Sequence, residues 1–188
     1  MNKLAIFDLD GTLFDTKNVN YKAYCEALKR CKLQGFIDYQ YYCNFCNGNN
    51  YRTFLPKIVH GISESQIDYV HREKLALYSK YLCEAKKNEH LFEMIKCIRP
   101  LYKTALVTTA SRKNTMDILS FFDVETFFDF LLTKEDVSET KPNPECFLKA
   151  INLANSDIDN TIIFEDSEVG LKAAELSGAH YVKVFGYN

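Results

Sequence analysis

One stretch, residues 3–15, constrains this chain most, because an apolar run there ends in two closely spaced carboxylates. Residues 4–7 are all apolar and have polar neighbours, a pattern typical of a strand buried in a parallel sheet. Asp8 and Asp10 follow this run two positions apart, so both side chains lean toward one side of the strand end. Gly11 then permits a sharp reversal of the backbone.

Two buried anions at a strand end repel one another and require a cation. At about 4 Å in an effective dielectric of about 20, the repulsion is ~4 kcal/mol. A hard divalent ion with oxygen ligands fits the pair best, and Mg2+ is the usual ion where phosphate is also bound. Two simpler interpretations are an Asp-Gly turn and half of a calcium loop. The calcium loop ends in a bidentate Glu, and Val19 stands at that position.

The composition excludes several classes of protein. A chain of 188 residues is long enough for one full core and a small accessory domain. The net charge of −2 offers no basic surface for nucleic acid, and a hydrophobic share of 47% is typical of a folded enzyme. No apolar stretch reaches membrane-spanning length, and the N-terminus leads into a strand rather than a signal peptide. We therefore expect a cytoplasmic protein without nucleic-acid or membrane partners.

Seven scattered cysteines, an odd number, indicate reduced thiols in the same compartment. Cys43 and Cys46 form the one close pair. A single CxxC lacks the second pair that a structural zinc site requires, and on a helix residues three apart share a face. Core packing is the favoured interpretation of this pair, with redox and zinc roles as alternatives.

Between residues 16 and 88 the hydrophobic pattern is helical. Apolar residues at three- and four-residue steps predict a first helix that ends near Gly35. Three more helices are predicted over residues 39–45, 51–60 and 63–86. Pro56 either starts or kinks the second of these, and Ser63 with Gln66 forms a capping box for the third. The pattern therefore predicts an all-helical insertion after the first strand.

The rest of the chain alternates between helices and short strands. Further strands are predicted over residues 105–109, 130–133, 161–164 and 181–185. Pro100 stops one of the intervening helices and Ser111 caps another. Asn143-Pro144 opens a third as N-cap and first helical residue, and Gly178 closes the last. This alternation predicts a doubly wound parallel α/β sheet, in which ligands bind beyond the carboxyl ends of the strands.

Several predicted strands end in groups suited to phosphate chemistry. These groups are Asp8 with Asp10, Thr108 with Thr109, Glu165 with Asp166, and Lys141 in the loop after a fourth strand. Taken singly, Thr108 is more often an ordinary strand-end hydroxyl and Lys141 a solvated lysine. The joint pattern at strand ends makes coincidence a poor explanation.

The order of these groups resembles that of the haloacid-dehalogenase-like (HAD) phosphohydrolases. The four motifs of that family are similar, in order, to residues 7–15 (FDLDGTLFD), Val107-Thr108-Thr109, Lys141-Pro142-Asn143-Pro144 and residues 164–170. The resemblance covers nearly all of residues 1–14 and 89–188, which form the predicted core domain. Residues 15–88 fall where the family places a small helical cap, as in its beta-phosphoglucomutase and phosphoglycolate phosphatase branch.

The resemblance implies a role for each group. Asp8 is the nucleophile, and Asp10 is the general acid and base. Lys141 neutralises the nucleophile and the phosphate, and the Thr108 hydroxyl holds a phosphoryl oxygen. Mg2+ is implied as cofactor, with candidate ligands Asp8, Asp10 through its carbonyl, Asp166 and, in the outer shell, Glu165. The candidate phosphate contacts are Gly11, Thr108, Thr109, Lys141 and, from the helical insertion, Arg52.

The leading prediction is a Mg2+-dependent phosphatase that hydrolyses a small phosphorylated metabolite through an aspartyl-phosphate. A sugar-phosphate mutase is the alternative, but such mutases carry a hinge histidine after the first motif, and Asn20 stands there. A dehalogenase would not need Asp10. A receiver domain carries its phospho-acceptor on a middle strand with no cap after the first. A non-enzymatic binding protein would not be expected to retain every catalytic group.

Overall fold

The computed structural model describes residues 2–185 and 187. The chain begins with the predicted strand, β1 (Lys3–Phe7), in which four of five residues are buried. Gly11 follows with a φ of +94°, a conformation that glycine adopts without strain. The turn ends in the short strand β2 (Phe14–Asp15).

Two compact units make up the chain, residues 1–15 with 86–188 and residues 16–85. These boundaries lie one and three residues from the predicted ones. The second unit, all of whose residues the structure describes, contains helices and connecting loops but no strand. Its elements are α1 (Lys17–Arg30), α2 (Tyr39–Tyr41) with a π-helical turn over Tyr42–Cys46, α3 (Tyr51–Ile58), and α4 (Glu64–Leu77) with a 3-10 segment over Tyr78–Glu84.

Local signals explain most of this helical unit. The capping box of Ser63 and Gln66 opens α4 as predicted. Pro56 lies inside α3 rather than at its start. The first helix ends at Arg30 and not near Gly35, because Lys32 adopts a left-handed φ of +54° and reverses the chain earlier.

The predicted fourth helix is also shorter than expected, since its α-helical part ends at Leu77 and the chain continues to Glu84 as a 3-10 helix. Cys46 is buried in the core of this unit and Cys43 packs against it, which confirms the packing interpretation. Both thiols are free.

The core unit continues with alternating strands and helices. In order these are β3 (Lys86–Lys87), α5 (Glu89–Ile98), β4 (Tyr102–Val107), α6 (Arg112–Phe121), β5 (Phe130–Leu132), α7 (Glu145–Ala154), β6 (Thr161–Glu165), α8 (Glu168–Ser177) and β7 (His180–Lys183). Ser111 caps α6, and Gly178 ends α8, as predicted. The start of α7 lies one residue later than predicted. Pro144 is the cap residue, while the Asn143 side chain accepts a hydrogen bond from the Glu145 N–H.

Five strands form one parallel sheet in the order β5-β4-β1-β6-β7, which confirms the predicted α/β fold. Side chains of β1, β4 and β6 pack against α7 and α8 in the main core cluster. The strand β1 is central, so its carboxyl end lies between those of β4 and β6. Over residues 2–185 and 187, no helix is both long and apolar enough to cross a membrane.

Candidate active site

The turn after β1 brings Asp8 to the middle of the sheet's carboxyl edge. Asp8 is 7% exposed, and its N–H donates to the Phe164 carbonyl on β6. Asp10 is half-buried, and its backbone pairs with that of Phe14 in a single β-bridge. A Cβ on Gly11 would lie 2.1 Å from Asp166 Oδ2, so the glycine leaves room for the Asp166 carboxylate against the turn.

Lys141 links the ends of three neighbouring strands, β1, β4 and β6. Its Nζ donates to Asp8 Oδ1 at 2.6 Å, to Glu165 Oε1 at 2.8 Å and to the Val107 carbonyl at 3.2 Å. All three ionisable side chains are buried. Burial opposes the charge on Lys141, but the carboxylates of Asp8 and Glu165 outweigh it and raise the lysine pKa, so the amine stays protonated.

The carboxylates of this cluster outnumber the one cation. Burial raises the pKa of Asp8 well above its usual range, and although Lys141 lowers it, Glu165 adds to the increase. Burial, followed by the charge of Glu165, raises the pKa of Asp166 to about 6, and Asp10 contributes to this shift. A second cation at this edge would relieve the repulsion.

The same carboxylates fit such a cation. Asp8, Glu165 and Asp166 each offer one oxygen, and these oxygens all lie within 4.8 Å of one another. Carboxylate oxygens are the ligands that Mg2+ prefers. Both carboxylate oxygens of Glu165 already accept hydrogen bonds, Oε1 from Lys141 and Oε2 from the N–H and hydroxyl of Ser167. Asp8 and Asp166 are therefore the better candidate ligands, and the carbonyl contribution of Asp10 stays a prediction.

The predicted phosphate-binding hydroxyls follow β4, the strand beside β1. Thr108 is buried, and its Oγ1 accepts a hydrogen bond from the Ala110 N–H at 3.0 Å. It directly follows Val107, whose carbonyl contacts Lys141. Thr109 is exposed.

Arg52 belongs to the helical unit, where acidic side chains hold its guanidinium. It donates to Glu64 at 2.6 Å and to Asp68 at 2.5 Å, and it lies over the ring of Tyr51. An anionic ligand would have to compete with both carboxylates for this guanidinium. The contact of Arg52 with substrate stays a prediction.

Sequence reasoning missed three residues that shape the site. Thr12 is fully buried and donates from Oγ1 to Asp166 Oδ1 at 3.0 Å. Ser167 caps α8 and also donates to Glu165. Gly170 has no room for a side chain, because a Cβ would lie 1.7 Å from Glu165 Oε1. A serine directly before the first helical residue is a readable cap signal for Ser167, but nothing local marks Thr12.

A buried lysine held between carboxylates lies at the carboxyl edge of a parallel sheet, which is where α/β enzymes bind their ligands. A family model described as haloacid dehalogenase-like hydrolase matches residues 5–184. The chain therefore belongs to that family, and the phosphatases among its relatives place it with the phosphoric monoester hydrolases.

Two relatives illustrate the match. A phosphorylated carbohydrates phosphatase from Thermotoga maritima is 28% identical over 178 residues, which cover 92% of this chain and 80% of the relative. A fructose-1-phosphate phosphatase, YqaB, from Escherichia coli is 24% identical, with 95% of this chain and 94% of the relative covered.

Solved structures share the fold. CbbY from Rhodobacter sphaeroides in complex with phosphate superposes with a TM-score of 0.88 at 23% identity, over 100% of this chain and 88% of that one. A predicted phosphoglycolate phosphatase from Haemophilus somnus gives 0.85 at 22% identity, over 100% and 87%. At these identities the likeness shows the fold alone.

Proposed function

We propose that this protein is a Mg2+-dependent phosphatase that hydrolyses small phosphorylated metabolites, with phosphorylated carbohydrates as the first class to test. The observation that carries the proposal is the buried Lys141 bonded to Asp8 and Glu165, beside the carboxylate of Asp166. The relatives described as acting on phosphorylated carbohydrates and on fructose-1-phosphate support the choice of substrate class.

Each residue has a task in this mechanism. A carboxylate oxygen of Asp8 attacks phosphorus and forms an aspartyl-phosphate, while Asp10 protonates the departing alkoxide. Asp10 then takes a proton from the water that hydrolyses the intermediate. Lys141 holds Asp8 in place and offsets negative charge on the transferring group. Because the Thr108 oxygen accepts from Ala110, its own hydrogen can donate to a phosphoryl oxygen.

Asp8 and Asp166 would hold Mg2+, with the Asp10 carbonyl, and Glu165 would support them. The bound ion would supply positive charge where carboxylate and phosphate oxygens approach one another. We further propose that residues 16–85 act as the family's cap and that Arg52 contributes to substrate choice from there.

The test is phosphate release from a panel of sugar phosphates, phosphoglycolate and pyrophosphate, with Mg2+, Ca2+ or excess chelator. We expect release with Mg2+, little with Ca2+, whose coordination is larger and less regular, and none with chelator. Following the sugar products by phosphorus NMR separates hydrolysis from phosphate migration within the sugar. Full turnover in excess chelator would contradict the metal requirement, and an isomeric sugar phosphate without free phosphate would indicate a mutase.

A further inference from the structure

The carboxylate of Asp166 is confined by the turn that follows β1. Thr12 Oγ1 donates to Asp166 Oδ1 at 3.0 Å, and the Thr12 side chain is fully buried. On the same turn, the Cα of Gly11 lies so close to Asp166 Oδ2 that no Cβ fits between them. The buried hydroxyl and the close backbone thus restrict the rotation of the carboxylate from two sides.

The turn is itself held through its carbonyl groups. The Thr12 carbonyl accepts from Asn88 Nδ2 at 3.1 Å and from Tyr187 Oη at 3.3 Å. The Asn88 N–H also donates to the Leu13 carbonyl at 2.9 Å. Burial raises the pKa of Tyr187, and the charges of Asp15 and Asp166 raise it further. The phenol therefore stays protonated and able to donate.

We propose that Thr12 is a positioning residue that orients Asp166 toward the metal, and that Tyr187 fixes Thr12 from the C-terminal end of the chain. The inference rests on the proposed Mg2+ site. Hydrogen bonds to a ligating carboxylate set its orientation, and their loss typically weakens metal binding by about 10- to 100-fold. In this protein two hydrogen bonds connect the C-terminal phenol to the candidate ligand. Tyr187 donates to the Thr12 carbonyl on the turn, and the Thr12 hydroxyl donates to Asp166.

The experiment measures Mn2+ binding to the whole protein by electron paramagnetic resonance, so the readout does not depend on turnover. Thr12→Val removes the hydroxyl at nearly constant volume, and we expect ~10- to 100-fold weaker Mn2+ binding. Thr12→Ser keeps the donor and should bind close to wild type. Tyr187→Phe removes one neutral hydrogen bond and should weaken binding by about 2- to 10-fold.

Thr161→Val is the matched control. Thr161 is also buried, and its Oγ1 donates to the Asp157 carbonyl at 2.6 Å, but it begins β6 at the opposite end of the strand from Glu165. The Thr161→Val variant should lose thermal stability without losing Mn2+ affinity. A purely structural role for Thr12 would make the two variants behave alike.

The outcomes separate the two proposals. Wild-type protein that binds no Mn2+ overturns the metal site itself and, with it, the inference. Wild-type protein that binds Mn2+, together with a folded Thr12→Val variant of equal affinity, overturns the inference alone. Should Thr12→Val fail to fold, Tyr187→Phe decides, and unchanged affinity in that variant counts against the proposal.

Discussion

At the scale of single residues, the site depends on one buried cation between two buried anions. Lys141 contacts Asp8 and Glu165 within 2.8 Å, and little of the three side chains reaches solvent. Without the lysine, two carboxylates would face each other in a region of low dielectric. The charge of Lys141 therefore matters to the fold as well as to the proposed chemistry.

We expect Lys141→Met to lower the free energy of unfolding by about 3 kcal/mol in metal-free protein, because it leaves buried charges unpaired. Phosphatase activity should be lost as well. Urea denaturation at pH 7 measures the first effect. Lys172→Met, which removes an exposed lysine paired with Glu175, is the control and should change stability by less than ~1 kcal/mol. Equal stability of the two variants would argue against the buried cluster.

The two leading aspartates should behave differently. Asp8→Asn removes the nucleophile, so no phosphorylated protein should form. Asp10→Asn keeps the nucleophile and loses the proton shuttle, which typically contributes ~10²- to 10⁴-fold in each step it serves. With an activated leaving group, Asp10→Asn should accumulate phosphorylated protein and release phosphate slowly.

Intact-mass measurement after an acid quench distinguishes the two variants. Wild-type protein in the same quench gives the reference level of intermediate. A phosphorylated Asp8→Asn protein, or wild-type turnover by Asp10→Asn, would mean that these roles are assigned wrongly.

At the scale of elements, exposed charges connect the helices of the inserted unit. Arg52, near the start of α3, pairs with Glu64 and Asp68 on α4. Exposed pairs of this kind typically contribute ~0–1 kcal/mol each. Replacing the arginine should therefore change stability little, which makes it a clean probe of the predicted specificity role.

We expect Arg52→Ala to alter relative kcat/KM values across the substrate panel while its free energy of unfolding stays close to that of wild type, because solvent screens exposed ion pairs. Arg72→Ala, on the exposed side of α4 beside Tyr69, is the matched control and should leave the substrate order unchanged. If the order of substrates by kcat/KM were unchanged in Arg52→Ala as well, Arg52 would not belong to the substrate site. Its role would then be to connect α3 and α4 through ion pairs.

At the scale of the whole molecule, metal binding should be coupled to stability. Mg2+ that binds only the folded protein stabilises it by ~2.7 kcal/mol at about 100 times the dissociation constant. For a chain of this length, each kcal/mol of added stability raises Tm by about 2–4 °C. Wild-type Tm should therefore rise with Mg2+ and return to its starting value with chelator.

Asp166→Asn should not show this Mg2+ response. The pKa of Asp166 is raised from 3.8 to about 6, so this carboxyl favours the folded state less as pH rises through that window. At pH 7 in chelator, the variant should be at least as stable as wild type, and Mg2+ should not raise its Tm. Calorimetric scans with and without Mg2+ measure both effects. An equal Mg2+ response in the two proteins would exclude Asp166 as a ligand.

The sequence by itself determined the features that depend on neighbouring residues. The apolar run of β1, the capping box at Ser63 and the αL end at Gly178 are local signals, and the structure contains all three. Alternating strands and helices dictated a parallel sheet, whose geometry gathers strand ends at one edge. For this reason the order of residues alone was enough to propose Asp8, Lys141 and Asp166 as one site.

Only the tertiary structure decided how that site is held. Thr12 bonds a carboxylate 154 positions away and Tyr187 a carbonyl 175 positions away, and such contacts leave no trace in local periodicity. The end of α1 at Arg30 likewise depends on a left-handed Lys32, for which the sequence carries no glycine signal. Local pattern fixes which elements form, whereas long-range hydrogen bonds and close packing fix which side chains meet, because folding alone brings distant residues together.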